Sequence, residues 1–267
     1  CHDEVIVPLE KSLEVAPSDI GVRGALGCSL NMLGRSEEHL ALVEEFLKSP
    51  QPLDDSLSKF VLDLFVNPAI TVEDEGKLFS KMFGHLADRR APQVEFARRS
   101  ANSKIIIGYL SSFLHKANYM AFLDGIVAAH DWDRFDIKVY SDADIGNQAL
   151  YDEIAADSVD ILVDLNGFGS IDRMELLAMK PAPVNASWFN AFSSLGLDSV
   201  DYLIGDDIVT PPDEDRHYGE IIYRLPGCYL LRHLDSEAPP VGDSPIAENG
   251  YCTFGSLAAY HKIHTGC

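Results

Sequence analysis

The residues whose types and positions could support chemistry sit where short apolar runs stop. KIIIGYL at 104–110 is followed by Ser111 and Ser112, and VDILVDL at 159–165 by Asn166 and Gly167. Such runs suit strands covered on both faces, and open α/β sheets bind ligands just beyond the carboxyl ends of their strands. Plain turn geometry accounts for the same residue types. No GxGxxG follows the 104–110 run, and there is no GxxxxGK[ST] loop and no GxSxG elbow, which argues against dehydrogenase and nucleotide hydrolase readings. His261, His264 and Cys267 form a short N/N/S cluster with metal-like spacing, but no second ligand pair stands beyond Cys252, so no metal is expected. The acidic runs at 73–75 and 213–215 read as solvated surface.

Charge narrows the partners. Forty-two acidic residues against 21 basic ones leave a net charge of −21, which repels a phosphate backbone or an anionic lipid surface over much of the molecule. Nucleic acid is therefore not expected as a partner, although a few well-placed donors suffice for a nucleotide diphosphate. A hydrophobic content of 46% is ample for a packed core. No apolar run approaches the roughly 20 residues that span a bilayer, so a cytoplasmic protein without a membrane segment is expected. Five scattered cysteines, at 1, 28, 228, 252 and 267, read as reduced thiols. The chain opens on Cys1 and stops a few residues into what reads as a new strand-led unit, so either end is expected to be a fragment edge.

The elements that must position the strand-end residues follow from periodicity. Residues 4 to about 48 show helical spacing, with Leu9, Leu13 and Val15 closing one helix before Pro17. From Ile20 onward, Leu26, Gly27, Leu30 and Gly34 fall with the spacing of a tetratricopeptide helix pair, Gly27 permitting close helix approach and Gly34 making the turn; an ordinary helical hairpin has the same pattern. His39 departs from the repeat by standing where a small residue is usual. Two amphipathic helices are expected between Leu53 and Arg90, the second capped by Thr71 ahead of Glu73 and Asp74. APQVEFARRSANS at 91–103 has linker composition. Strands are then expected at 104–110, 135–140, 159–165, 184–189, 202–205 and 221–224, with helices at 117–129, 149–157 and 174–179 between them. The fold class predicted is α/β: an N-terminal α-helical, tetratricopeptide-like segment followed by a Rossmann-like, doubly wound, mostly parallel sheet. The expected division is 1–52 for the repeat-like helices, 53–102 for a helical connector, 103–249 for the lobe and 250–267 for the start of a second lobe.

Taken in order, the phrases VDILVDLNGFG, MKPAPVNASW, VDYLIGDDIVTPP, IIYRLPGCYL and GYCTFGS resemble the catalytic region of the O-GlcNAc transferase family, which includes the plant SPINDLY proteins. The resemblance covers roughly residues 68 to 263. It implies transfer of a sugar from a nucleotide diphosphate donor, UDP-GlcNAc or a related one, to Ser or Thr of protein acceptors that the tetratricopeptide-like helices engage. It also implies two Rossmann-like lobes with the donor mainly on the second, of which this chain holds the first, and no metal or other cofactor. Lys262, in YHKI, matches the family lysine that contacts the donor diphosphate, where an ammonium offsets developing charge. Ser111, Ser112, Asn166, Gly167, Trp188 and Gly196 match positions on the substrate side.

Several matches fail. Ala117 stands where the family has an active-site histidine, and His115, two residues away, is the candidate substitute. Phe168, Gly169 and Ser170 replace the family's Tyr or His, Thr and often Lys; Phe189, Asn190, Ala191 and Phe192 replace an LGYP-like phrase; Ala258 and Ala259 replace polar amides. A second reading therefore stands beside the first: a degenerate or truncated relative that binds protein through its helices and catalyses nothing. A further departure concerns the sheet, because only 141–148 separates Tyr140 from the helix expected at Ala149, too little for the extra α/β unit of the family. The arrangement expected overall puts the loops after Leu110, Leu165 and Phe254 on one common rim.

Overall fold

The computed structural model describes residues 2–48, 55–89, 103–141, 145–190, 193–230, 240, 242, 244–253 and 255. It opens with five helices, α1 (His2–Val15), α2 (Ile20–Met32), α3 (Ser36–Phe46), α4 (Asp55–Leu64) and α5 (Val72–Phe83). Their ends follow local chemistry. The Asp19 carboxylate accepts a hydrogen bond from Val22 N to start α2. Thr71 Oγ1 accepts from Asp74 N while Asp74 Oδ2 accepts from Thr71 N, a reciprocal cap on α5 that leaves neither amide unsatisfied. Between α2 and α3, Gly34 turns the chain at φ 71°.

Gly27 makes room for a neighbour, and that neighbour is His39. A Cβ at Gly27 would lie 3.0 Å from the His39 ring, which is fully buried with Nδ1 3.0 Å from Asn67 Nδ2. Burial drives the imidazole pKa down to about 4, so the ring is neutral and accepts from the Asn67 amide. The larger side chain that breaks the repeat pattern in sequence is thus the one that occupies the glycine's vacant volume.

A sheet of six parallel strands follows: β1 (Ile105–Ser111), β2 (Phe135–Ser141), β3 (Ile161–Asp164), β4 (Val184–Ser187), β5 (Tyr202–Gly205) and β6 (Ile221–Arg224), in the order β2-β1-β3-β4-β5-β6. α6 (Ala117–Ala129) links β1 to β2, α7 (Asn147–Ala156) links β2 to β3 and the short α8 (Met174–Ala178) precedes β4; α9 (Pro245–Asn249) ends at left-handed Gly250. Alternate residues of each strand feed two cores. On one face Ile107, Tyr109, Val163 and Leu165 pack with Phe122 and Leu123 of α6 and with Trp188. On the other, Leu110 and Leu162 join Leu150 and Ile154 of α7, and that cluster continues without a break into Leu57, Phe60, Phe79 and Phe83 of the helical arm. Helices on both faces of a parallel sheet make this the doubly wound α/β arrangement that the alternating elements implied.

The short 141–148 joint leaves no hole in the sheet. β2 is its outer edge, and α7 crosses back over β1 so that β3 pairs with β1 directly, Ile107 opposite Ile161 and Leu110 opposite Asp164. With β2 at the edge and β1 paired to β3, the sheet needs no further strand between β2 and β3 to stay continuous. The exposed edge carries charge, with Lys104 3.5 Å from Asp136 and Lys138 3.0 Å from Asp157, which discourages further strand pairing.

Candidate functional site

Strand order turns back at β1, whose neighbours are β2 on one side and β3 on the other. The chain leaves the carboxyl ends of β1 and β3 in opposite directions, β1 toward β2 and β3 toward β4, and this switch point is where open α/β sheets form their ligand crevice. The two loops meet there by hydrogen bonds: Ser112 N donates to Asn166 Oδ1 at 2.7 Å, and Leu165 N donates to Leu110 O at 2.9 Å. Two of the three loops expected on a common rim are therefore joined. The third, at Phe254, lies outside the described residues, as do Lys262 and the His261, His264 and Cys267 cluster.

Each wall of the crevice has a local reason for its shape. Ser111, buried at the end of β1, turns its hydroxyl to accept from Phe113 N at 3.1 Å. On the other wall Asp164, also buried, accepts from Asn166 N at 3.0 Å and Gly167 N at 2.8 Å, and this fixes the turn in which Gly167 takes a positive φ of 46°. The Ser112 hydroxyl donates to Ser170 Oγ at 2.8 Å, and Ser170 in turn donates to Asp172. Asn166 has one oxygen engaged by Ser112, while its Nδ2 is buried without a partner among the described residues. An amide donor left open at a strand end suits an oxygen of a ligand.

From the third strand end comes Asn190. Its Nδ2 donates to Tyr119 Oη at 3.1 Å and to Leu165 O at 3.2 Å, and Phe168 N donates to Asn190 O at 3.1 Å. The preceding Phe189 adopts a φ of 77°, a left-handed conformation that costs a non-glycine residue about 1–2 kcal/mol. Asn190 replaces a small residue of the resembled phrase, and its side chain now bridges α6 and β3 across the rim.

The remaining candidates are dispersed. Trp188 follows the last residue of β4 but is buried on the α6 face, where its indole donates to Tyr229 O at 3.0 Å and its ring meets Phe122 edge-on. Gly196, at φ 69°, lies against α5, where a Cβ would collide with the backbone of Phe79 and Ser80. His115 is exposed on the loop before α6, and Ala117 opens that helix. Lys116 places its ammonium 4.4 Å from the Phe113 ring centroid at the same loop.

Three contributors escaped the sequence reading. Asp164 ends β3 and bonds back to the amides of its own turn, a position that was a usable signal; Ser170 lies six residues past β3 and Asn190 three past β4, and their partners Ser112 and Tyr119 lie in other segments. Asp206 acts as Asp164 does, at the end of β5, accepting from Ile208 N, Val209 N and Tyr229 N, bonds that hold its pKa below the usual carboxylate range. As a whole the described rim offers hydroxyls, carboxamides and a phenol. Its carboxylates are engaged in holding turns, so it is equipped to bind polar groups more than to exchange protons.

Comparisons with known proteins agree with this geometry. Residues 143–236 match the family described as glycosyl transferase family 41. A rice (Oryza sativa subsp. japonica) protein named as a probable UDP-N-acetylglucosamine-peptide N-acetylglucosaminyltransferase, SPINDLY, is 30% identical over 215 residues, 70% of this chain and 22% of that protein. The Arabidopsis thaliana SPINDLY protein is 32% identical over 186 residues, 60% of this chain and 20% of its own length. This chain thus spans about a fifth of the relatives it matches. In fold, a solved mutant of the Thermobaculum terrenum O-GlcNAc transferase superposes with a TM-score of 0.66, covering 85% of this chain and 48% of that one at 23% identity. The chain is thus similar to the O-GlcNAc transferase/SPINDLY proteins, with the stretch that holds β3 to β6 matching glycosyl transferase family 41, and it shares the fold of the solved relative.

Proposed function

We propose that this chain is the helical arm and first Rossmann-like lobe of a protein O-glycosyltransferase that uses a nucleotide diphosphate sugar, UDP-GlcNAc or a close relative, and acts on protein Ser or Thr. The observation that carries the reading is the switch point, where Ser112, Asn166 and Ser170 converge from two strand ends with the buried Asn166 Nδ2 unpartnered among the described residues. The names of the rice and Arabidopsis relatives support it. In the reaction proposed, an acceptor hydroxyl oxygen bonds to the anomeric carbon as the bond to the diphosphate oxygen breaks. Negative charge passes to the diphosphate, the hydroxyl proton passes to solvent water, and Lys262 offsets the charge from the second-lobe side. The crevice residues hold polar groups of sugar or acceptor in place. We assign the helices of 1–52 to acceptor recognition, 53–102 to a connector, 103–249 to the lobe and 250–267 to the start of the second lobe, in a cytoplasmic protein. No helix among the described residues is long and apolar enough to cross a membrane.

A second reading, a non-catalytic relative that binds protein through its arm, is favoured by Asn190, whose side chain spans the rim. Calorimetric titration of this chain with uridine diphosphate, before and after Lys262→Ala, separates the two. Binding lost in the variant supports the first reading, and no heat in the unmodified chain supports the second.

A further inference from the structure

We infer that the helical arm sets the position of the crevice rim, with Phe168 as the positioning residue that links them. The loop 166–171 is held from both sides. Toward the crevice, Asn166 accepts from Ser112 N, Ser170 accepts from the Ser112 hydroxyl, and Phe168 N donates to Asn190 O. Toward the arm, the Phe168 ring is fully buried, with its centroid 4.3 Å from that of Phe79 in α5 and 5.2 Å from that of Phe65 just after α4. Ile171 N donates to Ser58 Oγ of α4 at 3.2 Å. Two residues of sequence thus separate an aromatic clamp on the helices from the amide that shapes the crevice.

Close-packed rings transmit displacement because the interior has little free volume to absorb it. A shift of α4 or α5, such as a protein engaging the arm would cause, moves Phe168, and the short turn held by Asp164 carries that movement to Asn166 and Ser112. The Phe168 side chain packs into the helical arm and so becomes the arm's handle on the crevice loop. This goes beyond the proposed function by naming how the site is controlled. It rests on that reading only for what the crevice binds.

Hydrogen exchange of the ligand-free chain tests the link independently of any sugar nucleotide. Phe79→Leu loosens the clamp from the arm side without touching the rim. Exchange at Ser112, Phe113 and the 167–171 amides is expected to accelerate about tenfold, with Tyr202–Gly205 in β5 unchanged. Ser58→Ala should act in the same direction more weakly. Leu26→Ala, which opens the separate core of α1 and α2, should destabilise the arm's far end and leave Ser112 as it was. Unchanged exchange at Ser112 and Phe113 in Phe79→Leu, or equal acceleration in Leu26→Ala, would overturn the coupling.

Discussion

Two buried polar regions of this molecule treat charge in opposite ways. At the carboxyl ends of the strands, Asp164 and Asp206 are surrounded by backbone amides, and the Asp206 pKa is lowered by its bonds to Val209, Tyr229 and Ile208. Where α5 meets the loops before β5 and β6, Glu75 and Glu220 are buried among apolar side chains and serines. Desolvation pushes the Glu75 pKa up to about 7, with Glu214 and Asp74 adding to it, and raises that of Glu220 as well. The Asp206 turn therefore favours an ionised carboxyl, and the arm junction favours protonated ones. The difference lies in burial. Both carboxyls meet backbone amides, Asp206 those of Val209, Tyr229 and Ile208 and Glu220 those of Leu195, Gly219 and its own residue with the Ser194 hydroxyl beside them, but at the junction desolvation outweighs these bonds.

The contrast is most sharply broken at Asp164. Asp164→Ala strips two buried amides of their acceptor and should destabilise the chain by about 4 kcal/mol in urea denaturation; a loss below about 1 kcal/mol would mean that the rim does not depend on the carboxylate. The junction predicts a pH effect of opposite sign to that of the rim. Because the folded pKa of Glu75 lies above its unfolded value, its contribution is complete below about pH 4.5 and is lost as pH rises through about 7. The cost between pH 5 and 8 is up to about 3 kcal/mol, and Glu75→Gln should flatten that slope. For Asp206, whose folded pKa is depressed, stability is present above its unfolded value and is lost as pH falls through the folded one, so acid unfolding of Asp206→Asn should show a weaker dependence in that range.

Smaller effects refine the picture. Gly196→Ala adds a Cβ in a left-handed turn already against the α5 backbone and should cost about 2 kcal/mol, read as a lower thermal midpoint with the rim's exchange unaltered. Asn190→Gly removes the bridge between Tyr119 and Leu165 and should cost about 1 kcal/mol. If Asn190 is what obstructs the crevice, the same change should strengthen uridine diphosphate binding; weaker binding would make Asn190 part of the recognition surface.

Much of the architecture was legible in the chain because it is encoded locally. The run at 104–110, the Thr71 cap, the turn at Gly34 and the alternation of strand and helix depend on neighbours a few residues away, and each occurs where its pattern places it. The pairing of Ser112 with Asn166 was legible only as two strand ends expected on one rim. The direction of Phe168 was not legible at all. In sequence it is a changed residue in a binding loop; in space it fills the gap between Phe65 and Phe79, which are remote from it along the chain.

By itself, then, the sequence determined the elements, their order and the family likeness, since periodicity, caps and turn phrases act over one or two turns of chain. Only the tertiary structure decided which polar side chains face the crevice and which are absorbed into holding it, and that β2 rather than a gap forms the sheet's edge. Those outcomes depend on burial and on partners brought together from distant segments, where one hydrogen bond or one ring contact selects among conformations that local sequence leaves equivalent.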